Sequence, residues 1–287
     1  MLLGLLAAAG CRAAETPPEA GPAITPAPPP KPPSATPPST ERARVDAART
    51  VRDRLRPLHQ RLGPPKPGEW LADHRESGQT FEQYLQDDPT LPEGARRVLV
   101  IQPLGDLDER QRRMIDLAAD YMKRFFSLET RTLPDIPGSA IPARARRTHP
   151  TWGDKQILST YVLESVLRPR LPDDAAAMIA FTASDLWPGA GWNFVFGQAD
   201  LRQRTGVWSI YRNGDLTAGP DAFRRALLRT LKTAVHETGH MFSLEHCTAY
   251  RCVQGGVNSL EEGDRAPLWL CPECVANTTA GSSESQS

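Results

Sequence analysis

The sequence predicts an α/β fold, in which amphipathic helices alternate with short apolar strands and a cysteine-rich loop follows the last helix. Apolar residues recur at every fourth position through Asp221–Phe242, which indicates a helix with one buried face. The unbroken apolar run Ala176–Thr182 is typical of a strand that is buried on both faces. Beyond the helix, four cysteines stand in two clusters within residues 247–274. These three observations define the expected core.

The other elements follow from the same periodicities and from the turn residues between them. An apolar stripe in the first segment predicts a helix that packs against its own domain, although a partner helix could also cover it. That stripe consists of Val45, Ala48, Val51, Leu55, Leu58 and Leu62. Asp221 is the expected N-cap of the last helix. In chain order we predict a helix at Glu41–Leu62, a strand at Val98–Ile101, a helix at Asp108–Phe126, a loop at Pro134–Pro150, a helix at Gln156–Leu167, strands at Ala176–Thr182, Trp192–Phe196 and Val207–Tyr211, and a helix at Asp221–Phe242.

The amino terminus carries a possible export signal. Met1–Gly10 is apolar, and the run ending in Cys11 (LLAAAGC) resembles a bacterial lipoprotein signal, in which that cysteine is lipidated. The stretch lacks a basic n-region and is shorter than an ordinary signal peptide, so an incidental cysteine is the alternative. The expectation is an exported protein of the bacterial cell envelope, held to the membrane by the lipid and facing the periplasm.

Composition divides the rest of the chain. Eleven prolines lie between Pro17 and Pro38, so this part is expected to be extended and solvated. The chain has 34 basic residues (Lys and Arg) and 34 acidic residues (Asp and Glu). This balance does not favour a nucleic-acid partner, which would call for a basic excess. The protein is expected to be a monomer. The predicted divisions are a signal segment at 1–11, a disordered linker at 12–40, a helical and loop extension at 41–95, a catalytic domain at 96–277 and a disordered tail at 278–287.

A metal-binding pattern lies at the end of the last predicted helix. His236 and His240 are four residues apart, so both project from one face of the helix, and His246 follows six residues later. Catalytic zinc takes three protein ligands and leaves a fourth position for water. Glu237 lies beside the first histidine, where a carboxylate can accept a proton from that water. The pattern indicates a zinc hydrolase.

The four clustered cysteines allow two interpretations. Cys247 follows the third histidine directly, Cys252 comes five residues later, and Cys271 and Cys274 form a CxxC pair. Four thiolates can enclose a structural zinc ion, which uses all four coordination positions. In an oxidising compartment, two disulfides would use the same residues.

The whole arrangement resembles the archaemetzincins, a family of metzincin-like zinc proteases. The order HExxHxxxxxHC, four residues, C and then CxxC carries the resemblance, together with segments that extend it over residues 67–276. Those segments are PGEWLADHRESGQTFEQY (Pro67–Tyr84), VLVIQPLGDLD (Val98–Asp108), WNFVFGQA (Trp192–Ala199) and NSLEEGDRAPLWL (Asn258–Leu270). The resemblance implies a metzincin-like mixed sheet with an active-site helix, and two zinc ions per chain, one catalytic and one structural. It favours zinc over disulfides at the cysteines.

Two positions depart from the family's pattern. Ser243 stands where members carry a glycine after the second histidine, at a turn that favours positive φ and penalises a Cβ. Gln254 stands where the family places a methionine beneath the zinc. Neither residue is an expected ligand, so metal binding is predicted to survive both changes.

The predicted function is hydrolysis of peptide bonds in a peptide or protein substrate. By resemblance, the backbone of Gly197–Ala199 would pair with the substrate, whereas Phe194 and Phe196 are expected in the core. No side chain that selects the substrate is apparent, and endopeptidase and aminopeptidase activity both remain open. The alternatives are a zinc amidase that acts on cell-wall peptides, and a non-catalytic zinc-binding lipoprotein that recognises peptides or scaffolds an envelope complex.

Overall fold

The computed structural model describes residues 40–281, with side chains for residues 42–278. The predicted signal segment with Cys11, and the linker up to residue 39, lie outside the described residues, as do residues 282–287. Within the described part, no helix combines the length and the apolar character that crossing a bilayer requires.

Eight α-helices lie within the described residues. The helices are α1 (Thr40–Leu55), α2 (Trp70–Asp73), α3 (Phe81–Gln86), α4 (Glu109–Phe126), α5 (Ser159–Tyr161), α6 (Pro220–Met241), α7 (Leu260–Arg265) and α8 (Pro272–Gly281). A π-helical turn, Val162–Leu167, continues α5. Asp108 caps α4 as part of a capping box with Gln111, which confirms the predicted start of that helix.

Two sheets form the centre of the fold. The strands are β1 (Val98–Leu104), β2 (Glu129–Thr132), β3 (Arg146–Thr148), β4 (Lys155–Leu158), β5 (Ala175–Thr182), β6 (Asp185–Trp187), β7 (Gly197–Ala199) and β8 (Thr205–Ser209). Five of them form a sheet in the order β2-β1-β5-β8-β7, in which only β7 runs antiparallel to its neighbour. A smaller sheet has the order β3-β4-β6. The predicted mixed α/β architecture is therefore present.

The five-stranded sheet is covered on both faces, and this explains the apolar run in β5. Every residue of β5 is buried. Ile179 faces a core shared with α4 and α6, whereas Met178 and Ala180 face the core around the π-helical turn. Because side chains alternate along a strand, one continuous apolar run supplies both cores. The sheet thus gives α6, which carries two of the histidines, a rigid support.

The extension before the sheet packs on the same domain, as predicted. Ala48 of α1 and Phe81 of α3 form a small buried cluster with Ala276 of α8. The stripe is shorter than expected: Val51 is 36% exposed and Leu58 is 78% exposed. The helix ends at Leu55 because the proline two residues later cannot continue the helical hydrogen bonding. The chain goes on as a short 3-10 turn, Arg56–Leu58.

Several predicted elements were wrong. The segment predicted as a helix from Gln156 begins as strand β4, because its backbone pairs with β3 and β6. The side chain of Gln156 also donates to the buried carboxylate of Asp185. Trp192–Phe196 is irregular, and the strand lies just after it, at β7. The rings of Phe194 and Phe196 meet edge to face, and the guanidinium of Arg212 lies over the ring of Phe194. These contacts replace the alternating burial of a strand.

The ends of α6 and of the chain also differ from the prediction. The N-cap of α6 is Gly219, with a proline at the first helical position, whereas Asp221 is exposed within the first turn. The cysteine-rich region contains α7 and α8, so it is not a structureless loop. Residues 278–281 belong to α8 and are not part of a disordered tail. The loop predicted at Pro134–Pro150 contains the short strand β3.

Candidate active site

Three histidine side chains meet at the carboxyl end of α6. His236 and His240 are one turn apart on the helix, with their Nε2 atoms 3.0 Å apart. The ring of His246 lies 5.2 Å from the first of these rings and 5.0 Å from the second, measured between centroids. One nitrogen from each of the three lies within 4.8 Å of the others. The structure thus brings together the three residues that the spacing predicted.

A left-handed residue directs the chain from the helix to the third histidine. Ser243 has a φ of 63°, the conformation for which the family uses glycine. Its hydroxyl accepts a hydrogen bond from the backbone N–H of Thr90 at 2.9 Å and donates one to the carbonyl of Leu201 at 3.1 Å. These two bonds offset the strain, which explains how serine occupies the position.

The Nδ1 atom of each histidine has a hydrogen-bond acceptor. His236 Nδ1 lies 3.0 Å from the carbonyl oxygen of Val253, and His240 Nδ1 lies 2.6 Å from that of Leu244. His246 Nδ1 lies 2.9 Å from a carboxylate oxygen of Glu76. A proton on Nδ1 leaves the lone pair of Nε2 free for a metal, as is usual for histidine ligands.

Burial keeps two of these histidines in the state that binds metal. Desolvation, followed by repulsion from the neighbouring imidazoles, places the pKa of His236 well below its ordinary value. The same causes lower the pKa of His240 to about 4. Both rings are therefore neutral at pH 7, and neutral imidazole is the form that coordinates zinc.

Glu237 faces the cleft next to the histidines. Its side chain is largely buried, and this desolvation raises its pKa to about 8. The carboxylate packs closely against Gly197 of β7, since a Cβ at that glycine would lie 2.8 Å from Glu237 Cγ and Oε1. A buried carboxyl with a raised pKa is suited to accept and return a proton near neutral pH.

The histidines and Glu237 open into a cleft of about 530 Å³. One wall is the segment Trp192–Ala199, which includes Phe194 and Phe196. Both phenylalanines are half-buried cleft residues, which corrects their expected placement in the core. The opposite wall comes from residues 253–266, including part of α7.

Two cations on the cleft wall are already paired. Arg229 forms two hydrogen bonds with the carboxylate of Asp264, at 2.8 and 2.6 Å. The Nζ atom of Lys232 donates to the carbonyl oxygens of Gly263 and Asp264. These side chains connect α6 to α7 and so position the wall that carries them.

The four cysteines form a second cluster directly behind the third histidine. All four are buried free thiols, and their sulfur atoms lie within 4.8 Å of one another. The sulfur atoms of Cys247 and Cys271 are 3.5 Å apart, well beyond the roughly 2.05 Å of a disulfide bond. Hydrogen bonds from the neighbouring thiols, Cys252 first, hold the pKa of Cys247 well below its ordinary value. A tetrahedral zinc ion fits this set of donors.

Gln254 lies under the histidines, at the position where the family has methionine. It is fully buried, and its amide nitrogen donates to the carbonyl oxygen of His236 at 3.2 Å. Its Oε1 atom has no hydrogen-bond partner among the described residues. The side chain fills the space beside Gly239, where a Cβ would lie 2.2 Å from Oε1.

Two residues of the extension touch the site and were not predicted. Glu76 bonds to His246, and Trp70 packs its ring edge-on against the same histidine, with centroids 5.2 Å apart. Neither has ligand spacing, because the contacts join parts of the chain that are about 170 residues apart. The resemblance of Pro67–Tyr84 to the family was the signal that this segment belongs to the functional unit.

Three imidazoles with one nitrogen each turned toward a shared point fit zinc, and a buried carboxylate lies beside them on the wall of an open cleft. This is the site of a zinc metallopeptidase. Residues 172–279 match the family model for peptidase family M54. The chain is also 32% identical to archaemetzincin-2 of Pongo abelii over 261 residues, which cover 79% of this chain and 72% of that protein.

Further relatives agree. Archaemetzincin-2 of Homo sapiens is 31% identical, with 82% of this chain and 74% of that protein covered. The crystal structure of an archaemetzincin from Archaeoglobus fulgidus, complexed with malonate, superposes with a TM-score of 0.50 at 26% identity; it covers 63% of this chain and 99% of that one. The chain belongs to the archaemetzincin family. The non-catalytic alternative is therefore not favoured.

Proposed function

We propose that His236, His240 and His246 hold the zinc ion of this metallopeptidase and that Glu237 is its general base. The observation that carries the proposal is the meeting of three histidine nitrogens, each within 4.8 Å of the others, on the same cleft as Glu237. The acceptors at Nδ1 orient all three rings toward one point.

Glu237 performs the proton transfers of the reaction. Zinc, when bound, supplies a Lewis acid that polarises the peptide carbonyl and makes a water molecule more acidic. Glu237 accepts a proton from the attacking water and delivers it to the nitrogen of the leaving amine. Burial raises its pKa, and Gly197 packs closely against its side chain.

Strand β7 supports the proposed binding of the substrate backbone. It pairs with β8 on one side only and is the last strand of its sheet, so its other edge is available to an added strand. All three of its residues line the cleft. An extended peptide that adds to this edge would pass in front of Glu237.

The second proposed zinc ion is structural and lies among Cys247, Cys252, Cys271 and Cys274. Its four donors are buried, so they leave no position for substrate or water. Because the first of these cysteines follows His246 directly, the cluster also anchors the loop that carries the third histidine.

The Glu237→Ala substitution tests the catalytic assignment. Because a positioned general base contributes roughly 10²–10⁴-fold to the rate, we expect kcat on a mixed peptide library to fall by that amount. Elemental analysis should still find two zinc ions per chain. As a control, Glu129→Ala removes a carboxylate that is 71% exposed and paired with Lys123 far from the cleft, and it should change neither quantity.

Two results would count against the proposal. If Glu237→Ala cleaves peptides at the wild-type rate, Glu237 is not the base. If His240→Ala retains the zinc content of the wild-type protein, the histidines are not ligands. A wild-type content of one zinc ion that persists in His240→Ala would place zinc at the cysteines alone.

A further inference from the structure

The third histidine differs from the other two in the group that supports it. Backbone carbonyl oxygens accept from Nδ1 of His236 and His240, whereas both oxygens of the Glu76 carboxylate lie within reach of His246 Nδ1, at 2.9 and 3.0 Å. This pair is partly exposed, with 19% of the histidine side chain and 28% of the glutamate side chain accessible. A charged acceptor strengthens the Nδ1–H bond and makes Nε2 a better donor to a metal.

Glu76 is held in place by its neighbours in the extension. The carbonyl oxygen of Ser77 accepts from the hydroxyl of Thr248 at 3.4 Å. Gln79 bonds on both sides of the turn before the third histidine: its amide nitrogen donates to the carbonyl of Ser243, and its oxygen accepts from the N–H of Glu245, both at 3.3 Å. These bonds connect the segment around Glu76 to the loop that carries His246.

The fit between these two segments leaves no room for a side chain at residue 78. Gly78 has a φ of 69°, and a Cβ there would lie 2.1 Å from the hydroxyl oxygen of Thr248. Glycine allows this conformation and this approach at once. The close approach shows that the extension fits against the ligand loop at the position that Glu76 requires.

Trp70 fixes the other side of the same histidine. Its ring meets His246 edge-on and stacks on His74 with centroids 3.9 Å apart. Its backbone N–H donates to the carboxylate of Glu262, which also accepts from the N–H of Asn258. The ring of His246 therefore contacts an aromatic ring and a carboxylate, both contributed by the extension.

We propose that Glu76 is a positioning residue for the catalytic metal, and that the segment Gly68–Thr80 completes the metal centre by orienting His246. The inference rests on the assignment of the three histidines as zinc ligands. It assigns to the extension, which lies before the part of the chain that matches the M54 family model, a direct role in metal affinity.

The test compares the zinc affinity of the full-length wild-type protein with that of Glu76→Ala and Glu76→Gln, by competition with a chelator. The zinc bound by His240→Ala measures the ion that remains at the cysteines, and this amount is subtracted from the total of each variant. Loss of a group that supports a metal ligand typically costs 10- to 100-fold in affinity, and we expect that loss for Glu76→Ala. Glu76→Gln keeps an oxygen acceptor for Nδ1–H, so it should recover most of the affinity.

Two controls separate positioning from general stability. Glu261→Ala removes a carboxylate that is 87% exposed and paired with Arg265, and this variant should bind zinc as the wild type does. With excess chelator present, Glu76→Ala and the wild type should unfold at the same temperature. Wild-type zinc affinity in Glu76→Ala, or equal losses in the Ala and Gln variants, would overturn the proposal. Unchanged zinc content in His240→Ala would instead remove the ligand assignment beneath it.

Discussion

Ser243 shows how a single side chain can replace the freedom of glycine. In the left-handed conformation its Cβ costs about 1 kcal/mol. Its hydroxyl makes two hydrogen bonds, to the N–H of Thr90 and the carbonyl of Leu201, and each is worth about 1 kcal/mol. The gain is therefore at least as large as the strain, so the departure from the family's glycine does not weaken the turn.

Substitutions at Ser243 should separate these two effects. Ser243→Ala keeps the strain and loses both hydrogen bonds, so we expect the free energy of unfolding to fall by about 2 kcal/mol. Ser243→Gly loses the same bonds but relieves the strain. Its free energy of unfolding should therefore fall by about 1 kcal/mol less than that of the alanine variant. Urea denaturation of the two variants beside the wild type measures both values. Equal stability of the Ala and Gly variants would show that the turn is not strained.

At the residue scale, the sequence was sufficient for the groups whose positions depend on one helix and the loop after it. His236 and His240 were predictable because helical spacing alone puts them on one face, and the same motif supplied Glu237. Glu76 could not be found in this way. Its contact with His246 depends on tertiary packing between the two ends of the domain, which local periodicity does not encode.

At the scale of elements, the approach of β7 to α6 determines where the base lies. Gly197 is in contact with the side chain of Glu237, and the absence of a Cβ allows the strand to come this close. The backbone of Gly197 does not adopt a positive φ. The glycine is thus required by the distance between the elements and not by its own conformation.

Gly197→Ala should therefore impair catalysis without affecting the metal. The new Cβ would displace the Glu237 carboxylate, and a shift of about 1 Å in a catalytic group can cost on the order of 100-fold in rate. We expect kcat to fall by about that factor while two zinc ions remain bound. Gly63→Ala adds a methyl group with no heavy atom within 4 Å and is the matched control. An unchanged kcat in Gly197→Ala would mean that the strand moves away instead.

Sequence periodicity was a good guide to some elements and a poor guide to others. The helix at Glu109–Phe126 and the buried strand at Ala175–Thr182 have one dominant environment, and both were predicted nearly to their ends. The segment from Gln156 to Leu167 combines a strand with a π-helical turn, and its apolar spacing could not reveal the change. In Trp192–Phe196, contacts between aromatic rings override the alternation of a strand.

On the scale of the whole molecule, the cysteine cluster connects the active-site loop to α8. Cys247 follows the third histidine and Cys274 lies in the first turns of α8, which packs against α1. A zinc ion at these four sulfur atoms would fix both ends of this connection. Its loss should affect stability throughout the domain, since α8 in turn packs against α1 near the other end of the described residues.

Cys271→Ser tests this role. We expect zinc to fall from two ions per chain to one, and stability to fall by about 3 kcal/mol, which corresponds to roughly 10 °C in the melting temperature. Cys11→Ser makes the same chemical change at the cysteine outside the cluster and should keep both zinc ions. Two zinc ions in Cys271→Ser, measured by elemental analysis, would contradict the structural assignment.

Glu76 and His246 are 170 positions apart in the sequence, and this separation affects when their contact can form in a newly made chain. The contact cannot form until the ribosome has released almost the entire domain, and contacts between distant parts of a chain form slowly. Glu76 is synthesised long before His246, so support for the third ligand depends on the two segments meeting as the domain folds. A partly folded chain in which this contact has not formed should therefore bind its catalytic zinc more weakly than the native protein does.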